Sequence, residues 1–134
     1  MQRELCNVKL IRTIKSLLRC AEYLESDTPL LDAQVLLGHI LQCSRTYLYT
    51  WPEKQVTPED ANLYFALLER RRQGEPIAYL VGHQEFWSLD LSVSSATLIP
   101  RADTELLVEK ALELPLAETA RVLDLGTGTG AIAL

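Results

Sequence analysis

Three glycines at alternate positions, Gly126, Gly128 and Gly130, are the residues of this sequence best suited to chemistry. Without Cβ atoms they permit a tight turn and let a ligand lie against bare backbone. They follow Val122-Leu123-Asp124-Leu125, an apolar run of the kind a strand buried on both faces presents. Ala131-Ile132-Ala133-Leu134 comes next and suits the start of a helix. Strand, glycine turn and helix make the first unit of a nucleotide-binding α/β sheet. Asp124, two residues before the first glycine, adds a carboxylate at the end of the strand.

Two ligand classes fit this turn. Gly126-x-Gly128-x-x-Ala131 satisfies the dinucleotide pattern in its G-x-G-x-x-A form. Asp-x-Gly-x-Gly-x-Gly instead resembles the first motif of S-adenosylmethionine-dependent methyltransferases. Asp124 and the third glycine at 130 favour the second. A bare glycine turn that holds no ligand is the third possibility.

The elements that must position this turn come before it. A chain of 134 residues suits one domain, or a small domain plus a piece of another. Hydrophobic content of 48% with 23% charged residues is that of a soluble globular protein. No apolar run approaches the roughly 20 residues that span a bilayer. The N-terminus, Met1 to Asn7, lacks a signal-peptide core, so the expected location is the cytoplasm, with no membrane association. Cys6, Cys20 and Cys43 are odd in number and include no C-x-x-C, which argues against a disulfide framework and a zinc site. If Cys6 and Cys20 share one helix they stand about 21 Å apart and cannot bridge. No metal set is expected.

Charge is uneven along the chain. Residues 1–75 balance ten Lys/Arg against ten Asp/Glu, and residues 76–134 carry three against eight. Neither part has the basic excess of a nucleic-acid binder. The one basic cluster, Arg70-Arg71-Arg72, reads as the cationic last turn of a helix.

Residues 4–25 show a helical period, with Leu10, Ile14, Leu17, Ala21 and Leu24 in one stripe and Ile11 and Leu18 widening it. Ser26-Asp27-Thr28-Pro29 ends that helix and starts another, with Asp27 or Thr28 as cap. The second helix runs to about Gln42, with Ala33, Leu36, Leu37 and Ile40 on one face and His39 as a packing residue among them. Arg45–Tyr49 suits a short helical turn, broken at Trp51-Pro52. Tyr47, Tyr49 and Trp51 are expected to close the end of the helical core. Thr57-Pro58-Glu59-Asp60 starts a third long helix that Gly74 ends. Beyond Gly74-Glu75-Pro76, Trp87, Leu89, Leu91 and Val93 alternate with polar residues, a period-two pattern that predicts a hairpin turning near Ser88. Leu98 to Arg101 follow as a loop, and Asp103 and Glu105 cap a helix that carries Leu107, Val108 and Ala111.

Four stretches together resemble one family. They are Arg70-Arg71-Arg72-Gln73-Gly74-Glu75-Pro76-Ile77-Ala78-Tyr79-Leu80, Glu85-Phe86-Trp87-Ser88-Leu89, Thr97-Leu98-Ile99-Pro100-Arg101-Ala102-Asp103-Thr104-Glu105, and Val122 to Leu134. In order and spacing they are similar to the methyltransferases that modify a glutamine of peptide-chain release factors, the PrmC or HemK family. Residues 1–69 fit it in length and helix order. Ala102 stands where the family usually has proline.

The resemblance implies an all-α N-terminal helical bundle, a β-hairpin linker and the start of a Rossmann-like α/β methyltransferase domain. The boundaries are a release-factor-binding domain over 1–74, a linker over 75–98 and the beginning of the methyltransferase domain over 99–134. It implies S-adenosylmethionine as cofactor, held by Gly126, Thr127, Gly128, Thr129 and Gly130, with Asp124 at the mouth of the turn and Arg101 as a further candidate. The implied partner is a release factor, met by a monomer without direct nucleic-acid contact. The family's Asn-Pro-Pro-Tyr signature for the target glutamine and its ribose-binding acid are not found in these 134 residues, so no catalytic residue can be named and the piece alone is expected to be inactive. The neighbours that would pair with a strand at 122–125 are also absent, so that strand is expected to be poorly stabilised. The competing readings are a non-enzymatic fragment that binds the release factor through residues 1–75, and a nicotinamide enzyme using Gly126-x-Gly128.

Overall fold

The structure, a computed structural model, describes residues 13–134. Leu10, Ile11 and Cys6 of the expected first helix lie outside the described residues. Contacts divide the chain into one unit ending at Val81 and a second over Gly82–Leu134.

The first unit is helical. Helix α1, Ile14–Arg19, opens on a capping box, in which Thr13 Oγ1 accepts from the Ser16 N–H and the Thr13 N–H donates to Ser16 Oγ. Two more amides at its start donate to the 52–54 segment, Ile14 to the Lys54 carbonyl at 3.1 Å and Lys15 to that of Pro52 at 2.8 Å. Helical geometry ends sooner than the apolar period suggests. The chain tightens into a 3-10 turn, Cys20–Tyr23, and Leu24 is extended. That tighter turn pairs the last carbonyls locally, with the Leu24 N–H on the Ala21 oxygen at 2.9 Å.

Helix α2, Pro29–Leu41, begins at the expected proline, but no side chain caps it. Ser26 and Thr28 instead turn their hydroxyls to Asp32, one turn in. The helix ends with Gln42 at φ 53°. Helix α3, Arg45–Thr50, is capped by Ser44, and helix α4, Pro58–Arg72, by Thr57. A fifth short helix, α5, Ile77–Val81, buries Ala78 and Leu80 and packs on α2 and α4. The core gathers Ile14, Leu17, Leu36, Leu37, Leu48 and Tyr64, each essentially inaccessible. Within it the Tyr64 hydroxyl donates to the Leu17 carbonyl at 3.0 Å, which lets a phenol lie fully buried. Tyr47 packs against this core as expected, whereas Tyr49 and Trp51 are exposed and Leu48 fills their place; His39 is exposed as well.

The second unit opens with an antiparallel hairpin, β1 His83–Phe86 and β2 Leu89–Ser92, pairing His83 with Ser92 and Phe86 with Leu89. Phe86, Leu91 and Val93 are its buried residues, while Trp87 and Leu89 of the alternating set stay exposed. Helix α6, Asp103–Leu112, buries no residue and leaves Leu106, Leu107 and Leu112 exposed. The strand expected at 122–125 and the helix expected from 131 are not formed. Val122, Leu123 and Leu125 are each at least 80% exposed. A strand exists only through the ladder it joins, and among the described residues the sheet consists of β1 and β2 alone.

Candidate functional site

The glycine turn is built by backbone conformation. Gly126, Gly128 and Gly130 have φ of 71°, 54° and 82°, in the left-handed region that a Cβ disfavours. A Cβ at Gly126 would meet nothing within 4 Å, so the requirement there is conformational and not steric. The turn is closed by the Gly130 N–H on the Thr127 carbonyl at 2.8 Å and the Leu134 N–H on the Gly130 carbonyl at 3.0 Å. Asp124 lies two residues before the turn. Its Oδ2 is buried yet has no hydrogen-bond partner among the described residues. A buried carboxylate oxygen without a donor is costly, and a ligand hydroxyl or amine would relieve it. Three left-handed glycines beside an unsatisfied acid are chemically suited to a polar cofactor with hydrogen-bond donors.

Arg101 is exposed. Its carbonyl accepts from the Thr104 N–H at 3.0 Å, and its side chain makes no hydrogen bond or ion pair with the described residues. Asp103 and Glu105, expected as helix caps, make no side-chain capping bond. Glu105 reaches instead to the hairpin, where its Oε1 accepts the Trp87 backbone N–H at 2.8 Å. Sequence reasoning missed this bond. The signal available was Ala102 at the N-cap, which has no side-chain acceptor and leaves a nearby acid without a standard capping partner.

On the helical unit, polar groups tie the helices together. Asp32, almost buried, accepts from Ser26 at 2.7 Å and from Arg71 Nε at 2.9 Å, and Arg71 Nη1 donates to the Glu75 carbonyl at 3.2 Å. Arg70 and Arg72 pair with Glu75 and Glu69. The basic cluster is therefore neutralised within the fold. Buried Gln34 accepts from Arg45 Nε at 3.0 Å and donates to the Tyr49 hydroxyl at 2.7 Å. Those two donors, Gln34 first and Arg45 second, hold the Tyr49 phenol below its ordinary value. Burial pushes the Cys43 thiol up, with Lys54 opposing more weakly, the reverse of a nucleophilic cysteine. A cleft of about 410 Å³ opens between α1, α2 and α3, its lining including Leu18, Ala21, Leu30 and Tyr49 together with Lys15 and Arg19. No group of three or more His, Cys, Asp or Glu suited to a metal occurs among the described residues. None of the helices there is long and apolar enough to cross a membrane.

Five helices followed by a two-stranded antiparallel hairpin fit the layout of a small helical domain with a β-hairpin. The PrmC N-terminal domain model matches residues 9–82, more than half of the chain, and the chain belongs to that family. It is 62% identical over 109 residues to the release factor glutamine methyltransferase of Aliivibrio fischeri, covering 81% of this chain and 38% of that protein. The enzyme of the same name from Vibrio cholerae is 54% identical over 126 residues, 91% of this chain and 44% of its own. That from Escherichia coli is 56% identical over 109 residues, 81% and 39%. The chain thus spans about two fifths of the length of these relatives.

Proposed function

We propose that the protein to which these residues belong transfers a methyl group from S-adenosylmethionine to the side-chain amide nitrogen of a glutamine in a peptide-chain release factor, acting as a monomer in the cytoplasm. The observation that carries the reading is the turn of three left-handed glycines beside the unsatisfied Asp124 oxygen, following a helical unit of the matching family. Gly126, Thr127, Gly128, Thr129 and Gly130 hold the cofactor against their backbone, Asp124 accepts a hydrogen bond from it, and Arg101 borders the site. When bound, S-adenosylmethionine supplies an electrophilic methyl on a sulfonium. An amide nitrogen is a poor nucleophile because its lone pair is delocalised into the carbonyl. The protein's task is therefore positioning and the acceptance of hydrogen bonds from the amide NH₂ group. Residues 1–74 form the release-factor-binding part. The apolar cleft between α1, α2 and α3 gives them a surface on which a protein partner can bury side chains. Of residues 75–98, α5 packs within the helical unit and the hairpin segment from Gly82 is the linker, with 99–134 the opening of the Rossmann-like methyltransferase domain.

The test is transfer of labelled methyl to a purified release factor by a chain of the relatives' full length, with S-adenosylmethionine and NAD titrated in parallel. Transfer and S-adenosylmethionine binding are expected, and Gly128→Ala should weaken cofactor affinity at least about tenfold, because a Cβ forces the turn out of its conformation. Residues 1–134 alone should give no turnover. NAD binding without S-adenosylmethionine binding would turn the reading to a nicotinamide enzyme. Release-factor binding without transfer would leave a binding protein.

A further inference from the structure

We propose that Glu105 is a positioning residue whose carboxylate locks the β1–β2 turn onto the first turn of α6 and so fixes the segment that carries Arg101. The two turn residues, Trp87 and Ser88, have φ of 49° and 59°. A two-residue hairpin turn with both residues left-handed ordinarily takes Asn-Gly or a similar pair, because a Cβ resists that conformation. Trp87 and Ser88 both carry one. A turn made of residues that disfavour it persists only where its surroundings hold it. Glu105 supplies that hold, with Oε1 on the Trp87 N–H at 2.8 Å, eighteen residues along the chain.

The bond closes a loop. The hairpin's open end is joined by the Val93 N–H on the Gly82 carbonyl at 2.9 Å, and α6 begins with the Thr104 N–H on the Arg101 carbonyl at 3.0 Å. Residues 94–102 run between these two anchors, and the Glu105 bond ties hairpin to helix. Arg101 therefore leaves a closed frame one turn before the residue that closes it. Glu105 is free for this role because Ala102, at the N-cap, offers no side-chain acceptor and Asp103 already supplies charge to the first turn.

The proposal rests on the reading above that Arg101 borders the methyl-transfer site, and its test separates the two. In the full-length protein, Glu105→Ala, Glu105→Gln and the double variant Ser88→Gly with Glu105→Ala are compared for methyl-transfer kinetics and for hydrogen exchange at the Trp87 amide. Glu105→Ala should speed Trp87 exchange and lower kcat about tenfold with KM for the release factor within about twofold, the pattern of lost positioning. Glu105→Gln keeps an acceptor oxygen and should stay within about twofold of wild type on both measures. Ser88→Gly lets the turn hold itself, so the double variant should recover most of the lost kcat. Wild-type kcat in Glu105→Ala overturns the proposal, whatever the exchange. Equal losses in Ala and Gln overturn it too, since charge and not the acceptor would then be the property that matters. If the wild-type protein transfers no methyl, the functional reading fails and exchange alone decides the lock. Fast exchange in Ala with slow exchange in Gln upholds it, and no difference between them overturns it.

Discussion

Single side chains hold this fold at points where elements would otherwise only touch. Asp32 sits one turn into α2 and accepts from two hydroxyls and the Arg71 guanidinium. Arg71 in turn reaches the Glu75 carbonyl just past α4. One arginine thus joins the start of one long helix to the exit of another, through two nitrogens of a rigid fork. The pair is partly buried, with side-chain exposures of 24% for Arg71 and 10% for Asp32. Breaking a fully buried pair costs about 3–5 kcal/mol, so partial solvent screening puts Arg71→Ala at about 1–3 kcal/mol. Urea denaturation should show a lower midpoint with an unchanged slope. Arg71→Lys should restore less than half of the loss, because an ammonium cannot serve both acceptors in the same planar geometry. Full recovery by lysine would mean that charge alone carries the contact.

At the scale of elements, α2 is the helix on which the first unit is assembled, packed by α1, α3, α4 and α5. Its last turn folds back on itself. The Cys43 N–H donates to the Gly38 carbonyl at 3.0 Å, and a Cβ on Gly38 would stand 2.9 Å from the Cys43 oxygen. Alanine is ordinarily better than glycine inside a helix by about 1 kcal/mol. Here the obstacle is backbone, which cannot swing aside as a side chain does. Gly38→Ala should therefore destabilise by about 1–3 kcal/mol, the usual range for overpacking. A thermal melt checks it, and an unchanged or higher Tm would show that the 42–44 segment yields without cost.

For the whole molecule, the division of the chain after Val81 makes a prediction about its smallest stable part. Helix α5 adds Ala78 and Leu80 to the buried set, with Ile77 and Val81 packed against the same core. Burying one leucine side chain contributes about 1.5–3 kcal/mol. A fragment of residues 1–81 should show a helical circular dichroism spectrum and a cooperative melt. A fragment of residues 1–74 should melt lower, by at least about 2 kcal/mol in stability. Equal stability of the two would remove α5 from the core. The second unit has a different character. Its apolar side chains at Leu106, Leu107, Leu112, Val122, Leu123 and Leu125 stay in solvent, and its order rests on the hairpin and on backbone turns.

By itself the sequence determined what depends on local chemistry. Pro29 and Thr57-Pro58 mark helix starts because prolines and hydroxyl caps act on amides a few residues away. The alternation from Trp87 to Val93 places the hairpin because side-chain direction repeats every two residues. The three glycines announce a left-handed turn because few other residues adopt it. Tertiary structure decided everything that needs a distant partner. It shortened the first helix at Arg19, made a helix of Ile77–Val81 against α2 and α4, and left Tyr49 and Trp51 outside while Leu48 went in. It sent Glu105 to Trp87 and Arg71 to Asp32, partners eighteen and thirty-nine residues apart that no periodicity encodes. It also left Val122–Leu125 without strand structure, because an apolar run becomes a strand only where another backbone offers its hydrogen bonds.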